Sequence, residues 1–389
     1  MKAPAAASRF APTALMLGNV VTGCSVVGPA GMLKELSDGL GVSISTAGLL
    51  ITFGAVMLCV GSPVTAWLTS RIERRALLAA TLAILALANI ASAFAPDYGS
   101  LLAIRLIMLA VGALYTPQAA GTGALIVPEQ KRGSTIAYIF LGWSLAAAIG
   151  LPLITFIASR YGWRAAYGGV GALGVVSFLL LVWRLPGGLL GTRVDLKTWI
   201  SVARNRMILL LLLITTLQMS GQFVIFTFMG PLLAKLTGAG PDAIALVFAL
   251  YGAFGFLGVF IATQIVDSWG AYRTSVLFTG LLLTGITGWA LGAGVYALMA
   301  CSVVIWGLGF ASTNSMQQVR LVGAAPALAS ASVSLNTSVL YIGQAIGSAI
   351  GGALYARDLL YEAGFVGMAF VAAAFATVVL TRPRPAVGG

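Results

Sequence analysis

The chain has 389 residues, of which 59% are hydrophobic and 8% charged, whereas a soluble domain carries about 25% charged residues. So few polar groups cannot cover a water-exposed surface, which excludes a soluble fold. The net charge of +12 would by itself suit nucleic acid, but its distribution argues otherwise, because the basic residues do not cluster on one soluble domain.

Apolar runs of about 20 residues, each able to cross a bilayer core, recur along the whole length. In chain order they predict spans over 11–33, 46–68, 76–95, 99–126, 134–158 and 165–185. After a longer connection, further spans are predicted over 207–230, 243–265, 274–293, 296–317, 328–354 and 363–381. The expected fold is therefore all-α and polytopic, with twelve membrane helices. The expected division is a first six-helix half over 1–190, a linker over 191–206 and a second half over 207–389. The first run follows Lys2 and Arg9 like a signal peptide. Because eleven more spans follow, it is read as an uncleaved first span. The linker, with Arg193, Lys197, Trp199, Arg204 and Arg206, has the composition of a segment lying on a membrane surface.

The loops alternate in charge. One set holds most of the Lys and Arg, including Arg71, Arg74, Arg75, Lys131, Arg132, Arg273 and Arg320. The alternate set holds only Lys34, Arg160, Arg164, Lys235 and Arg357. The positive-inside rule places the richer set, and with it both termini, in the cytoplasm. Cys24, Cys59 and Cys301 all fall in apolar runs and read as small buried residues. The chain contains no histidine, which removes the commonest general base and metal ligand. It also has no nucleophile turn and no phosphate-binding loop. Neither an enzyme nor a cofactor is expected, and no soluble segment is long enough to be a nucleotide-driven pump.

The halves read as repeats. Arg71-Ile-Glu73-Arg74-Arg75 follows the second span, and Asp267-Ser-Trp-Gly270-Ala-Tyr-Arg273 follows the eighth. Pro128 precedes a span with Gly142 and Gly150, and Pro326 precedes one with Gly343, Gly347 and Gly351. Glycines four apart form a smooth helix stripe that admits a neighbouring backbone.

Together with the segment Gly61 to Arg75, these motifs resemble the major facilitator superfamily, and within it the twelve-span drug:proton antiporter branch. The loop resembles the family signature between spans 2 and 3. Ser70 stands where the family has its acid, and Glu73 stands near its glycine. The copy after span 8 keeps Asp267, Gly270 and Arg273. Arg105 resembles the fourth-span arginine, and Gly142 to Pro152 resembles the fifth-span antiporter motif. Tyr161-Gly-Trp163-Arg164 resembles a signature of the arabinose-efflux-permease-like members.

The resemblance implies export of a drug, sugar, nucleoside or metabolite in exchange for protons. It implies alternating access of two halves in a bacterial cytoplasmic membrane, by a monomer whose partners are a small solute, protons and lipid. Uptake of a solute stays open beside export. The resemblance assigns gating to Arg71, Arg74, Arg75, Asp267, Gly270 and Arg273. It assigns the solute cavity to polar and aromatic residues near the midplane: Asn19, Thr22, Arg105, Tyr115, Gln118, Tyr138, Trp143, Gln218, Gln222, Asn314, Gln317, Asn336, Tyr341 and Gln344. The alternative role for each is an interhelical hydrogen bond, typically about 0.6 kcal/mol. No Asp or Glu falls clearly inside a span, so no residue is singled out as the proton carrier. Uncharged polar groups with aromatics fit a neutral or weakly charged solute.

Overall fold

The computed structural model describes residues 10–69, 72–128, 132–189, 201–202, 204–325 and 328–382. Arg71, Pro326 and most of the expected linker, 191–200, lie outside the described residues. Among the described residues there is no strand, and twelve helices are long and apolar enough to cross a membrane. Helices are the expected form, because hydrocarbon offers backbone N–H and C=O groups no partner outside the segment itself.

Spans 1 to 6 are Ala11–Leu40, Ile44–Leu68, Arg74–Ala93, Tyr98–Leu125, Tyr138–Tyr161 and Trp163–Arg184. Spans 7 to 12 are Arg206–Phe226, Pro241–Trp269, Ala271–Leu291, Tyr296–Ala324, Leu335–Ala356 and Glu362–Leu380. Each predicted span overlaps one of these. One boundary moves enough to matter. Span 10 runs on to Ala324, so Arg320, expected in a loop, is a helix residue only 8% exposed. A second correction concerns the cysteines. Cys24 is buried, but Cys59 is half-buried and Cys301 is exposed on the outside of its helix. Lipid is as apolar as a helix interface, so an apolar run does not reveal which of its faces is inside.

The repeat is visible in the breaks and caps. Span 1 loses its α-helical form at Gly28–Met32, resumes at Leu33–Leu40 and ends on Gly41 with φ +64. Span 7 breaks at Thr227 and Phe228, resumes at Met229–Thr237 and ends on Gly238 with φ +70. A left-handed residue suits glycine and closes a helix end. Gly41 and Gly238 stand as far apart in the chain as Glu73 and Gly270, the residues that cap spans 3 and 9.

The described residues group into two compact units. The first joins Met1–Arg193 with Thr227–Gly252, and the second joins Val194–Phe226 with Ala253–Gly389. Within the first unit, spans 3 and 6 pack closely: a Cβ on Gly171 or Gly174 would press on Ile90 or Ala86. Span 5 carries a π-helical turn over Ala146–Gly150, just before Pro152. Such turns are rare and mark bulges in a helix. This one sets the backbone of Ala147 and Ala148 against Gly252, where any Cβ would collide with it. Phe228 fills the space beside Gly48, and Arg160 reaches Asp242 at 3.6 Å in an exposed ion pair.

Within the second unit, the glycine stripe of span 11 lies on span 7. A Cβ on Gly343 would meet the Thr216 carbonyl, and one on Gly347 the Ser220 carbonyl. Gly285 and Gly309 bring spans 9 and 10 into the same close approach, against Trp306 and Leu282.

Candidate functional site

Among the described residues Arg105 is the most buried charge, 1% exposed in span 4. Its guanidinium donates to three backbone carbonyls, Nε to Leu50 at 2.7 Å, Nη1 to Ser25 at 2.8 Å and Nη2 to Val26 at 2.8 Å. Sequence explains why those carbonyls are there. In a regular helix the Ser25 carbonyl would accept from the residue four ahead, which is Pro29 and has no N–H. Leu50 is reached because Gly54, one turn on, has no side chain to keep the guanidinium away. Bonds from a charged donor contribute about 1.5–3 kcal/mol each. Three together outweigh the roughly 2.5–3.5 kcal/mol cost of inserting an arginine at mid-span. Arg105 thus braces span 4 to spans 1 and 2, and the Tyr167 hydroxyl lies beside the guanidinium outside hydrogen-bond geometry.

The other expected solute residues fall into two groups. In the first, side chains are held by their own unit. Asn19 donates to the Ile139 carbonyl at 2.9 Å and accepts from Thr116 at 2.9 Å, and Thr116 in turn accepts from Trp143 at 3.0 Å. That chain fastens spans 1, 4 and 5. Tyr115 is fully buried over Gly18, with its hydroxyl 3.3 Å from the Leu15 carbonyl. Thr22 bonds back to Gly18 within its own helix. Tyr138, 37% exposed, shares a 3.2 Å bond with Thr13.

In the second unit, Gln218 donates to Thr279 at 2.9 Å. Gln222 donates to the Gln218 carbonyl and accepts from Trp306 at 3.0 Å. Asn336 donates to Asn314 at 3.0 Å and accepts from Thr215 at 2.7 Å. Gln317 reaches the Leu211 carbonyl at 3.5 Å and accepts from Arg320 at 3.3 Å.

The second group is small. The side chains of Gln118, Tyr341 and Gln344 make no hydrogen bond with any described residue. Tyr341 and Gln344 lie three apart on span 11, so they share a helix face, and both are largely buried.

The expected gating residues also divide. Arg75 donates to the Val182 carbonyl at 2.5 Å, and Arg74 is half-buried with an unpartnered Nε. Asp267, Gly270 and Arg273 are exposed, and Asp267 and Arg273 form no ion pair among the described residues. Gly270 has φ +80. Four residues not expected from sequence complete the picture. Thr116 and Thr279 are the partners of Asn19 and Gln218, and their only signal was one more threonine in an apolar run. Arg320 bonds Thr381 and Ser275, tying the ends of spans 9, 10 and 12. Its signal was Gln317, one turn before it on the same face. Glu73 caps span 3.

Twelve apolar helices with polar side chains turned inward define a multi-pass membrane carrier. The family model described as Major Facilitator Superfamily matches residues 15–348 and 211–389, and the chain belongs to that family. It is a membrane transporter of small solutes and not an enzyme. It is 31% identical over 357 residues to the inner membrane transport protein YdhP of Escherichia coli (strain K12), covering 90% of each chain. It is 25% identical to a probable sugar efflux transporter of Mannheimia succiniciproducens, over 90% of this chain and 87% of that protein. Its fold is similar to a crystal structure of a D-xylose-proton symporter, with a TM-score of 0.74, 14% identity and coverage of 96% and 97%.

Proposed function

We propose that the protein exports a small neutral organic solute, of the sugar class, across a bacterial cytoplasmic membrane by alternating access. The observation that carries this reading is the sorting of polar residues. Most of the midplane candidates are held by their neighbours, while Gln118 in the first unit, and Tyr341 and Gln344 in the second, each keep donors and acceptors for a ligand. Two amides and a phenol suit hydroxyl groups and offer no charge to an ionic solute. The similarity to a probable sugar efflux transporter supports both the class and the direction.

In this reading the halves 1–190 and 207–389 rock about the solute, and the linker 191–206 joins them. Protons exchanged for the solute are the family's expectation. The described acids sit at span ends, with Asp97, Asp267 and Asp358 exposed, so the coupling rests on the family alone. That same placement favours a second reading, facilitated uptake, which needs no titrating group. Arg105 acts as a brace of the first half and does not touch the solute, and the protein works as a monomer.

The test is cellular accumulation of labelled sugars, nucleosides and drugs, with and without the protein, before and after a protonophore. Lower accumulation restored by the protonophore is the expected result. Higher accumulation for every transported solute would establish uptake instead.

A further inference from the structure

Glu73 occupies the position at which the second repeat has Gly270. Gly270 begins span 9 in the left-handed region, φ +80, with no side chain to cap the helix. Glu73 begins span 3 with φ −60 and ψ 134, and its carboxylate is bound on both sides. Oε2 accepts from the Ala76 N–H at 2.9 Å, an ordinary N-terminal cap. Oε1 accepts from the N–H of Gly188 at 3.0 Å. Gly188 lies just beyond span 6 and takes φ +83, a conformation that suits glycine. One residue along on each side, the Arg74 N–H donates to the Leu189 carbonyl at 2.9 Å. Arg75 holds the Val182 carbonyl at the end of span 6.

A cap needs only the bond to Ala76. The bonds to Gly188 and Leu189 do something else, because they fix the chain at the point where it leaves the first six spans for the inter-half linker. We infer that Glu73 is a positioning residue that fastens Gly188 and Leu189, the chain just beyond span 6, to the start of span 3, so that these two ends move as one piece. The inference rests on the reading of the chain as a carrier whose halves rock. At the equivalent position Gly270 has no carboxylate to offer.

Glu73→Ser separates the two roles. Serine is a good helix cap but is too short to reach Gly188. Glu73→Gln keeps the length and one carbonyl acceptor. The full-length protein in lipid nanodiscs is exposed to trypsin, and cleavage after Arg193 and Lys197 is timed beside the thermal unfolding midpoint. Neither readout needs a solute, so failure here is distinct from failure of the transport reading. Release of Gly188 raises the cleavage rate of Glu73→Ser about fivefold, the value of one hydrogen bond. The midpoint is unchanged, and Glu73→Gln falls between wild type and Ser. Equal cleavage of Ser variant and wild type, or faster cleavage matched by an equal fall in midpoint, would overturn the inference and leave Glu73 as a cap alone.

Discussion

Arg105 donates to the carbonyl of Ser25 at 2.8 Å, the carbonyl that Pro29 leaves without its helical partner. The proline that breaks span 1 and the arginine of span 4 are two parts of one joint. Removing the arginine deletes three hydrogen bonds from a charged donor, each contributing about 1.5–3 kcal/mol. Arg105→Ala is therefore expected to destabilise the protein by about 3 kcal/mol or more. Arg105→Lys recovers little, because a point charge cannot fork to Leu50, Ser25 and Val26 together. Thermal unfolding in detergent checks both, and a stable Arg105→Ala protein would return Arg105 to the solute site.

The division between held and unpartnered polar residues predicts two kinds of variant. Gln118→Ala, Tyr341→Phe and Gln344→Ala are expected to raise the half-saturation concentration about three- to tenfold, the value of one hydrogen bond, with no change in unfolding midpoint. Gln218→Ala strands Thr279 and lowers the midpoint. Transport kinetics beside unfolding of the same preparations separates the groups. A fall in midpoint for Gln344→Ala would move it to the structural set.

Gly252 faces the π-helical turn of span 5 with no room for a side chain. Gly252→Leu is expected to part these helices, since overpacking of this kind costs about 1–3 kcal/mol. The neighbouring Arg160 and Asp242 report on the contact. An Arg160→Cys, Asp242→Cys pair should cross-link readily in the otherwise wild-type protein and poorly with Gly252→Leu. Equal cross-linking in both would show that span 8 shifts without separating.

Asp97 caps span 4 by accepting from the Ser100 N–H at 2.8 Å. That bond, from the backbone first and the Ser100 hydroxyl second, holds its carboxyl below the usual range. A depressed carboxyl stabilises the fold above its unfolded value, about 3.9, and the contribution is lost as pH falls through the lower folded value. Asp97→Asn keeps a capping side chain, so its unfolding midpoint should match wild type at neutral pH and depend less on pH below about 4. Identical acid profiles would remove Asp97 from the account.

Twelve spans, their order and the repeat were legible in the sequence, because hydrocarbon imposes a length and an apolarity that a chain cannot disguise. The faces of those spans were not. Cys301 and Cys24 sit in equally apolar runs, and only packing tells the exposed one from the buried one. Polar residue type marked Asn19, Gln218 and Asn336 as candidates. It could not tell a side chain that holds two helices together from one left for a ligand, because the partners, Thr116, Thr279 and Thr215, are distant in sequence. Arg105 was legible as costly but not as satisfied, since its partners are backbone carbonyls that no side chain advertises.

The grouping of Thr227–Gly252 with the first six spans bears on how this chain can be cut. The two compact units are connected at three places, after Arg193, after Phe226 and after Gly252. Severing the central linker breaks only the first. The amino-terminal fragment would be incomplete, because it would lack Thr227–Gly252, a segment that its own unit includes and that the other piece carries. Co-produced fragments should therefore recognise one another as halves of a lock and assemble without the linker, whereas the amino-terminal fragment should not complete its compact unit alone.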